Sequence, residues 1–211
     1  MRCVIISNGD INDYIFTKKQ IEHYDLIICA DGGAKHAWAM DLVPHVIVGD
    51  LDSIDENMID YFHKQHVQFC KFPPNKDYTD TELAIDYALK KKVKEITFVG
   101  VIGSRMDHTI ANVTLLLPLL NKGVQAKILN EHNEIIVCDG HMKIEGKIGE
   151  YVSIIPLSEK VEGITLEGLQ YPLVDATILM GESIGVSNRF VQSKAEVTIK
   201  KGKILIIKSK D

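Results

Sequence analysis

The first part of the chain alternates short apolar runs with longer stretches in which apolar residues recur at helical spacing. Continuous apolar runs of this kind are typical of strands that are buried on both faces of a parallel sheet. The runs are residues 3–7, 26–30, 46–48 and 96–101. The helical stretches are residues 33–40, 55–65, 79–91 and 107 to about 120. This alternation predicts an open, mostly parallel α/β sheet with flanking helices and right-handed crossovers.

Two local signals predict helix ends in this part of the chain. Thr79 and Glu82 have the spacing of a capping box, which predicts that a helix begins at Thr79. Pro118 has no amide proton, and its ring collides with the preceding turn, so we expect the last helix to end or kink there.

After about residue 125 the pattern changes to short apolar or alternating segments separated by glycines. Such segments predict a second, all-β domain of the sandwich type. The clearest predicted hairpin is near the end, with alternating strands on either side of a turn at residues 200–203. Its apolar positions are Val197, Ile199, Ile204 and Ile206. We therefore predict an α/β domain over residues 1–125 and a β-sandwich-like domain over residues 126–211.

Composition and charge limit the classes of function. Of the 211 residues, 45% are apolar and 25% are charged, as in ordinary soluble proteins. The formal net charge of -5 argues against a nucleic-acid partner, which needs a concentrated basic face. No apolar run has the length of a signal peptide or a membrane span, so we expect a cytoplasmic protein without a membrane partner. The 4 cysteines are scattered singly, which favours reduced thiols.

Four acidic motifs follow strands or open helices in the predicted α/β domain. They are Asp31-Gly32-Gly33, Gly49-Asp50-Leu51-Asp52-Ser53, Lys76-Asp77-Tyr78-Thr79-Asp80 and Arg105-Met106-Asp107-His108. Ligands bind at the carboxyl ends of the strands in open parallel sheets, which is where most of these motifs fall. Asp, Ser and Thr also cap helices at such positions, so a single motif carries little weight. Several motifs that converge on one crevice predict a functional site.

Carboxylates crowded into that crevice predict a Mg²⁺ site. The carboxylates are Asp50, Asp52, Asp80 and Asp107. They would repel one another, and a bound divalent cation removes that cost. Mg²⁺ is usually held by carboxylates together with waters and substrate phosphates. Arg105 and Lys76 would supply positive charge for phosphate oxygens.

Gly32 and Gly33 predict a close approach of the backbone to a phosphate or nucleotide, with amide groups at a helix start that favour an anion. A plain tight turn would also explain them. Neither the P-loop pattern G-x-x-x-x-G-K-[ST] nor the dinucleotide pattern G-x-G-x-x-G occurs in the sequence. Phosphate binding must therefore use a different arrangement.

Taken in order, the four motifs resemble those of the thiamine pyrophosphokinase family, and the likeness continues into the β-rich half at Gly185-Val186-Ser187-Asn188. The resemblance implies that ATP and thiamine react to give AMP and thiamine diphosphate, with Mg²⁺ as the metal ion. It also implies a homodimer whose active sites lie between the α/β domain of one subunit and the β-domain of the other.

The resemblance further implies roles for individual residues. Asp50, Asp52 and Asp80 would bind Mg²⁺, and with Arg105 and Asp107 they would form the catalytic set. The substrate-binding set would be Asp31, Gly32, Gly33, Lys76, Asp77, Thr79, His108, Ser187 and Asn188. Arg105 would face the polyphosphate, and Asp107 would complete the acidic cluster near the thiamine hydroxyl. Ser187 and Asn188 would belong to the thiamine side.

The chain departs from the family in one aromatic residue. Some members stack the thiamine ring on a Trp of the β-domain, but the single Trp here, Trp38, lies on a predicted helix of the α/β domain. We expect Trp38 to be a core residue. Phe190, which closely follows Ser187-Asn188, is the candidate stacking partner in its place.

Three other functions stay open from the sequence. A pyrophosphokinase for another small alcohol, such as a hydroxymethylpterin, would share the acidic cluster, because the cluster handles ATP and does not choose the acceptor. A haloacid-dehalogenase-like phosphatase would use Asp50 as its nucleophile, but the Arg105-Met106-Asp107-His108 motif has no place in that pattern. A nucleotide-binding sensor would bind ATP without turnover and would not need so many carboxylates.

Overall fold

Two units make up the chain, Met1–Glu131 and His132–Asp211. The computed structural model describes residues 1–73 and 78–210. The boundary predicted after residue 125 falls inside a strand, Gln125–Leu129, that pairs in parallel with Glu95–Val99. This strand therefore belongs to the first unit. In the described part of the chain, no helix has both the length and the apolar character needed to cross a membrane.

A parallel sheet forms the centre of the first unit. Its strands are β1 (Arg2–Ile6), β2 (Leu26–Ala30), β3 (Val46–Gly49), β4 (Gln68–Lys71), β5 (Glu95–Val99) and β6 (Gln125–Leu129). They lie in the order β6-β5-β1-β2-β3-β4, and neighbouring strands are parallel. The residues of β2 and β3 are all buried, which is why the sequence shows continuous apolar runs there. The predicted parallel α/β sheet is confirmed.

Helices flank this sheet. They are α1 (Tyr14–Ile21), α2 (Ala34–Ala39), α3 (Glu56–Lys64), α4 (Asp80–Lys90), α5 (Met106–Thr114) and α6 (Leu116–Asn121). Thr79 and Glu82 form the predicted capping box at the start of α4, since each side chain accepts a hydrogen bond from the backbone N–H of the other. The last predicted helix is divided between α5 and α6, because Pro118 has no N–H to bond the Thr114 carbonyl.

The core of the first unit joins the sheet to the helices. Ile47 of β3, Ala37 of α2 and Phe62 of α3 are among its buried members. Trp38 is not part of this core, and the expectation that it would be is wrong. Its side chain is 47% exposed, and its ring lies 6.3 Å from the ring of Tyr61. The reason is helical geometry, because Ala37 faces the core and the next residue points about 100° away from it.

The second unit is a sandwich of two antiparallel sheets. Its strands are β7 (Asn133–Cys138), β8 (His141–Glu145), β9 (Tyr151–Pro156), β10 (Lys160–Glu167), β11 (Leu173–Leu179), β12 (Asn188–Arg189), β13 (Lys194–Thr198) and β14 (Ile204–Ser209). One sheet has the order β12-β9-β14-β7, and the other has the order β11-β10-β13-β8. Apolar residues from both sheets share one core, for example Ile154 of β9 and Val161 of β10. The predicted all-β sandwich is confirmed.

The hairpin predicted at the end of the sequence is wrong. β13 pairs with β8 and β10, whereas β14 pairs with β7 and β9, so the two strands lie in opposite sheets. Where the chain crosses between the sheets, the amides of Lys200 and Lys201 donate to the Glu162 carbonyl. Alternation showed correctly that one face of each strand is buried, as Val197 and Ile206 are. It did not identify the pairing partner.

Candidate active site

A cavity of about 550 Å³ opens in the first unit at the carboxyl ends of its strands. The chain places β2, β3 and β4 on one side of β1 and then returns to place β5 on the other side. Ligands bind in open parallel sheets at such a reversal of strand order. Residues 7–10, which follow β1, and Gly100, Val101 and Gly103, which follow β5, all line the cavity.

The rest of the cavity wall comes from the end of β2, the loop after β3, the start of α4, and α5 with the two residues before it. These residues are Ala30, Asp31, Ser53, Thr79, Asp80, Thr81, Ser104, Arg105, His108, Thr109 and Asn112. The structure thus brings five of the predicted site residues to one cavity, namely Asp31, Thr79, Asp80, Arg105 and His108. The predicted residues Lys76 and Asp77 lie outside the described residues.

A carboxylate cluster lies beside this cavity. One oxygen each of Asp31, Asp50 and Asp52 lies within 4.8 Å of the others. The Asp31 Oδ1 accepts from the Leu51 N–H at 3.1 Å, and the Asp50 Oδ1 accepts from the Asp52 N–H at 3.3 Å. Asp31 is buried and Asp52 is exposed, so the cluster is open to solvent on one side. Hard carboxylate oxygens with room for water are a donor set that fits Mg²⁺.

The cluster differs by one member from the predicted set of Asp50, Asp52 and Asp80. Asp31, which was predicted to bind substrate, stands with Asp50 and Asp52. Asp80 is the first residue of α4 and lines the cavity wall. Asp31 joins the cluster because it follows β2 directly and β2 is the neighbour of β3, the strand that leads to Asp50. The sequence did not predict that β2 and β3 are neighbours in the sheet.

The backbone around Asp31 is shaped for this position. Asp31 has a left-handed conformation with φ of 43°, at the start of the 3₁₀ turn Asp31–Gly33. A Cβ atom on Gly49 would lie 2.8 Å from the Cβ of Asp31, so only glycine leaves room there. Backbone strain of this kind concentrates at functional sites, and Asp tolerates it better than most residues.

Gly32 and Gly33 are buried against the protein itself. A Cβ atom on Gly33 would lie 2.1 Å from the carbonyl oxygen of Ile6, and one on Gly32 would lie 2.6 Å from the Nδ2 of Asn8. The space that their missing side chains leave is thus filled by the end of β1 and by Asn8. Packing within the fold explains these glycines, and the predicted contact with a phosphate rests on their amide groups alone.

Arg105 and Asp107 form a forked ion pair at the start of α5. Arg105 Nη2 donates to Asp107 Oδ2 at 2.6 Å, and Arg105 Nε donates to Oδ1 at 3.3 Å. The hydrogen bond from Arg105 lowers the pKa of Asp107, and the same bond raises the pKa of Arg105. Asp107 is therefore held by Arg105 and does not stand in the cluster of Asp31, Asp50 and Asp52. A carboxylate whose pKa is lowered is a weaker base.

Several residues that hold the cavity wall were not predicted. Thr109 Oγ1 accepts from the Gly103 N–H at 3.2 Å, and Asn112 Nδ2 donates to the Val101 carbonyl at 2.9 Å, so α5 is tied to the loop after β5. Ser7 Oγ and Thr81 Oγ1 form a buried hydrogen bond of 3.0 Å. Residues 7–10 carried a readable signal, because they are a polar run directly after a buried strand, like the motifs that were recognised.

Ser187 and Asn188 lie in the second unit, at or beside a cavity of about 570 Å³. The cavity is lined by Tyr151, Ser153, Gln170, Tyr171, Ser187, Arg189 and Ser209. The Ser187 N–H donates to Ser153 Oγ at 3.1 Å. The buried Asn188 side chain accepts from the Tyr171 N–H at 2.9 Å and donates to the Tyr171 carbonyl at 2.7 Å. Asn188 therefore holds the Tyr171 backbone in place. Both the oxygen and the nitrogen of its side-chain amide are engaged in these backbone hydrogen bonds.

Phe190 does not reach this cavity. It is 1% exposed within the core of the second unit, and a Cβ atom on Gly146 would lie 2.5 Å from its ring. The prediction that Phe190 stacks on a ligand is therefore wrong. Two tyrosines line the cavity instead. The Arg189 guanidinium lies 4.4 Å from the centre of the Tyr151 ring, whereas Tyr171 is 58% exposed.

Two family models match the chain. Residues 17–128 match the catalytic domain of thiamin pyrophosphokinase, and residues 141–204 match its vitamin B1 binding domain. The chain is 30% identical over 192 residues to the thiamine pyrophosphokinase of Bacillus subtilis, with 90% of each chain covered. It is 25% identical to thiamine pyrophosphokinase 1 of Arabidopsis thaliana, with 86% of this chain and 77% of the relative covered.

Solved structures agree with these matches. The crystal structure of the Bacillus subtilis thiamine pyrophosphokinase aligns with a TM-score of 0.90 at 28% identity, over 100% of both chains. The Candida albicans thiamin pyrophosphokinase aligns with a TM-score of 0.85 at 18% identity, over 99% of this chain and 90% of the other, which is a likeness of fold. Both the mostly parallel sheet with helices and the C-terminal β-sandwich are therefore shared with solved structures.

Proposed function

The chain belongs to the thiamine pyrophosphokinase family, and from this premise we propose that it transfers a diphosphate group from ATP to the hydroxyl of thiamine, giving thiamine diphosphate and AMP. The observation that carries the proposal is the position of Asp31. Its side chain belongs to the carboxylate cluster and also lines the cavity at the reversal of strand order. The carboxylate cluster and the cavity at the reversal of strand order therefore share a wall.

Mg²⁺ is the proposed metal ion. Asp31, Asp50 and Asp52 would hold it, and Asp80 on the cavity wall stays the further carboxylate proposed from the sequence. A bound Mg²⁺ ion supplies neutralisation of the charge on the phosphate oxygens. The Leu51 N–H donates a hydrogen bond to the Asp31 carboxylate and so fixes the orientation of this proposed ligand from inside the protein.

The reaction is a displacement at the β-phosphorus, in which the thiamine hydroxyl attacks and AMP leaves. In such transfers the protein mainly positions the reactants and neutralises charge. Arg105 on the cavity wall is the proposed contact for polyphosphate oxygens, and Asp107 holds its guanidinium through the forked pair. Asp107 is a weak base with its lowered pKa, but a loose transition state demands little from a base.

Further residues are proposed to contact the substrate. Thr79 and His108 line the cavity and are proposed to contact substrate, although the Thr79 side chain also serves the capping box of α4. Gly32 and Gly33 would contribute through their amides. Lys76 and Asp77 stay predictions from the sequence.

The cavity of the second unit is the proposed thiamine side. Tyr171 presents an exposed ring there, and aromatic rings stack well on flat heterocycles. Asn188 would act through its two hydrogen bonds to the Tyr171 backbone. Replacing Tyr171 by Leu should raise the KM for thiamine about tenfold, as expected for a lost stacking contact of about 1 kcal/mol together with lost apolar area. Tyr171→Phe keeps the ring and should stay close to the wild-type value.

We further propose a cytoplasmic homodimer in which each active site uses both subunits. Mixing an Asp52→Asn chain with a Tyr171→Leu chain, assayed at thiamine well below the wild-type KM so that the raised KM of Tyr171→Leu lowers its rate about tenfold, tests the shared site, because each variant keeps one intact half. Subunit exchange should restore activity, up to one intact site per mixed dimer. A mixture that is no more active than its parts after verified exchange, or a monomer by sedimentation, would contradict the shared site.

Acceptor profiling tests the proposed activity against its rivals. The protein is incubated with ATP and Mg²⁺, and with either thiamine or 6-hydroxymethylpterin, and the nucleotides are separated by chromatography. AMP should form with thiamine and not with the pterin. AMP formation with the pterin alone would identify a different pyrophosphokinase, and ATP binding without turnover would identify a sensor.

A further inference from the structure

A chain of hydrogen bonds supports the cavity wall formed by residues 7–10 and has no part in the proposed chemistry. His36 of α2 is 4% exposed, and its Nε2 lies 2.7 Å from the carbonyl oxygen of Gly9. Its Nδ1 lies 2.8 Å from the hydroxyl of Tyr14 on α1. A carbonyl oxygen can only accept, so Nε2 carries the proton. Burial lowers the pKa of His36, which favours the neutral ring, and Nδ1 then accepts from the Tyr14 hydroxyl.

Gly9 is held on its other side as well. Its N–H donates to the Gly100 carbonyl at 2.6 Å, and the next N–H, that of Asp10, donates to the Ile102 carbonyl at 2.8 Å. A Cβ atom on Gly9 would lie 2.6 Å from both of these carbonyl oxygens. Residues 9 and 10 therefore bridge the ends of β1 and β5, where the strand order reverses. His36 binds the carbonyl oxygen of Gly9 on the other side.

We propose that His36, oriented by Tyr14, is a positioning residue that fixes the cavity wall of residues 7–10 in its substrate-binding arrangement. His36 touches no reacting atom and acts through the Gly9 carbonyl. The charged groups that act on its ring are Lys35 on the same helix and Asp10 on the supported wall. The inference rests on the proposed function, because it takes this cavity to be the ATP site.

Three variants separate positioning from plain stability. His36→Leu removes both hydrogen bonds and leaves the Gly9 carbonyl without its donor. His36→Gln keeps an N–H donor that can reach the same carbonyl. Tyr14→Phe leaves the ring in place but removes the donor to Nδ1. The matched control is His45→Leu, which removes the bond from the Ile27 N–H to His45 Nδ1 at the opposite ends of the strands.

Steady-state kinetics with folded protein give the first readout. His36→Leu should raise the KM for ATP about tenfold, the effect of one unmade buried hydrogen bond, with a smaller change in kcat. His36→Gln should restore most of the loss, and Tyr14→Phe should fall between. His45→Leu should leave the KM for ATP at the wild-type value.

Amide hydrogen exchange gives a readout that does not need turnover. The Gly9 and Asp10 amides should exchange faster in His36→Leu and return toward the wild-type rate in His36→Gln, while amides of β2 stay unchanged. Unchanged exchange at Gly9 and Asp10 would overturn the inference whatever the kinetics. Faster exchange with an unchanged KM for ATP would also overturn it.

Failure of the proposed function is distinguishable from failure of this inference. A wild-type protein that makes no AMP from ATP and thiamine would refute the proposed function, and the exchange rates would still test the role of His36. If His36→Leu does not fold, Tyr14→Phe carries both readouts, and wild-type exchange together with a wild-type KM in that variant would refute the role.

Discussion

Replacing Asp31 by Asn tests whether Asp31 is a metal ligand or a carboxylate with a purely structural role. The substitution removes one negative charge from the carboxylate cluster but keeps the side-chain shape and an oxygen that can accept from the Leu51 N–H. Asp86→Asn is the matched control, because it also removes one charge but lies on α4 in an exposed pair with Lys90. The two variants have the same net charge.

The size of the effect follows from the cluster geometry. Two like charges at the 4.8 Å upper limit of the distances in the cluster repel by about 1 kcal/mol with the screening of water, which the exposed side of the cluster at Asp52 provides. Asp31 has two such neighbours, so its neutralisation should relieve about 2 kcal/mol in the absence of metal. A metal ion at about 100 times its Kd should stabilise the wild-type protein by about 2.7 kcal/mol. For a chain of this length that corresponds to a rise in Tm of about 5 to 10 °C.

Thermal unfolding followed by circular dichroism, in EDTA and in a Mg²⁺ titration, measures both effects. Wild type and Asp86→Asn should show the full Mg²⁺-dependent rise in Tm. Asp31→Asn should show little rise and should have a Tm in EDTA equal to or above that of wild type. A full Mg²⁺ response in Asp31→Asn would refute its role as a ligand, and a lower Tm in EDTA would refute the repulsion.

Three further predictions concern the cluster, the thiols and the buried histidine. Asp50→Asn and Asp52→Asn should each lower turnover by orders of magnitude without loss of fold by circular dichroism, and near-normal activity in both would reduce them to loop residues. Iodoacetamide at pH 8 should modify the partly exposed Cys70 first, because the other three thiols are buried and burial raises the pKa of Cys3 to about 12. Equal labelling of all four thiols before denaturation would contradict this burial. Burial lowers the pKa of His36 below the unfolded value of about 6.5, so the unfolded chain binds more protons and the stability from neutral His36 is lost as the pH falls from there toward the folded pKa. The difference in unfolding free energy between wild type and His36→Gln should shrink below about pH 6.5, and a constant difference in urea titrations would oppose this assignment.

The sequence predicted the sheet and the position of the site because both follow from local patterns. Continuous apolar runs indicated buried parallel strands, and polar residues after those runs marked the cavity edge. Asp50 and Asp52 were predicted to crowd together because both follow the same predicted strand, and the structure places them in one cluster. Asp31 was assigned to the substrate, since its place beside them depends on β2 lying next to β3.

Other details depended on tertiary contacts that no local pattern reports. Alternation gave the buried faces of β13 and β14 but not their partners, so the predicted hairpin was wrong. Phe190 is buried and Trp38 is half exposed, the reverse of what was expected. The bond between His36 and Gly9 joins residues 27 positions apart, so spacing alone gave no sign of it.

Transfer of an intact diphosphate is the central claim, and its most direct measurement uses ATP labelled at the β-phosphorus. The protein is incubated with this ATP, Mg²⁺ and thiamine, with Asp52→Asn as the inactive control, and the products are separated by chromatography. The label should appear in thiamine diphosphate, with unlabelled AMP formed in equal amount. Label recovered in ADP, with thiamine unmodified or carrying a single phosphate, would contradict diphosphate transfer.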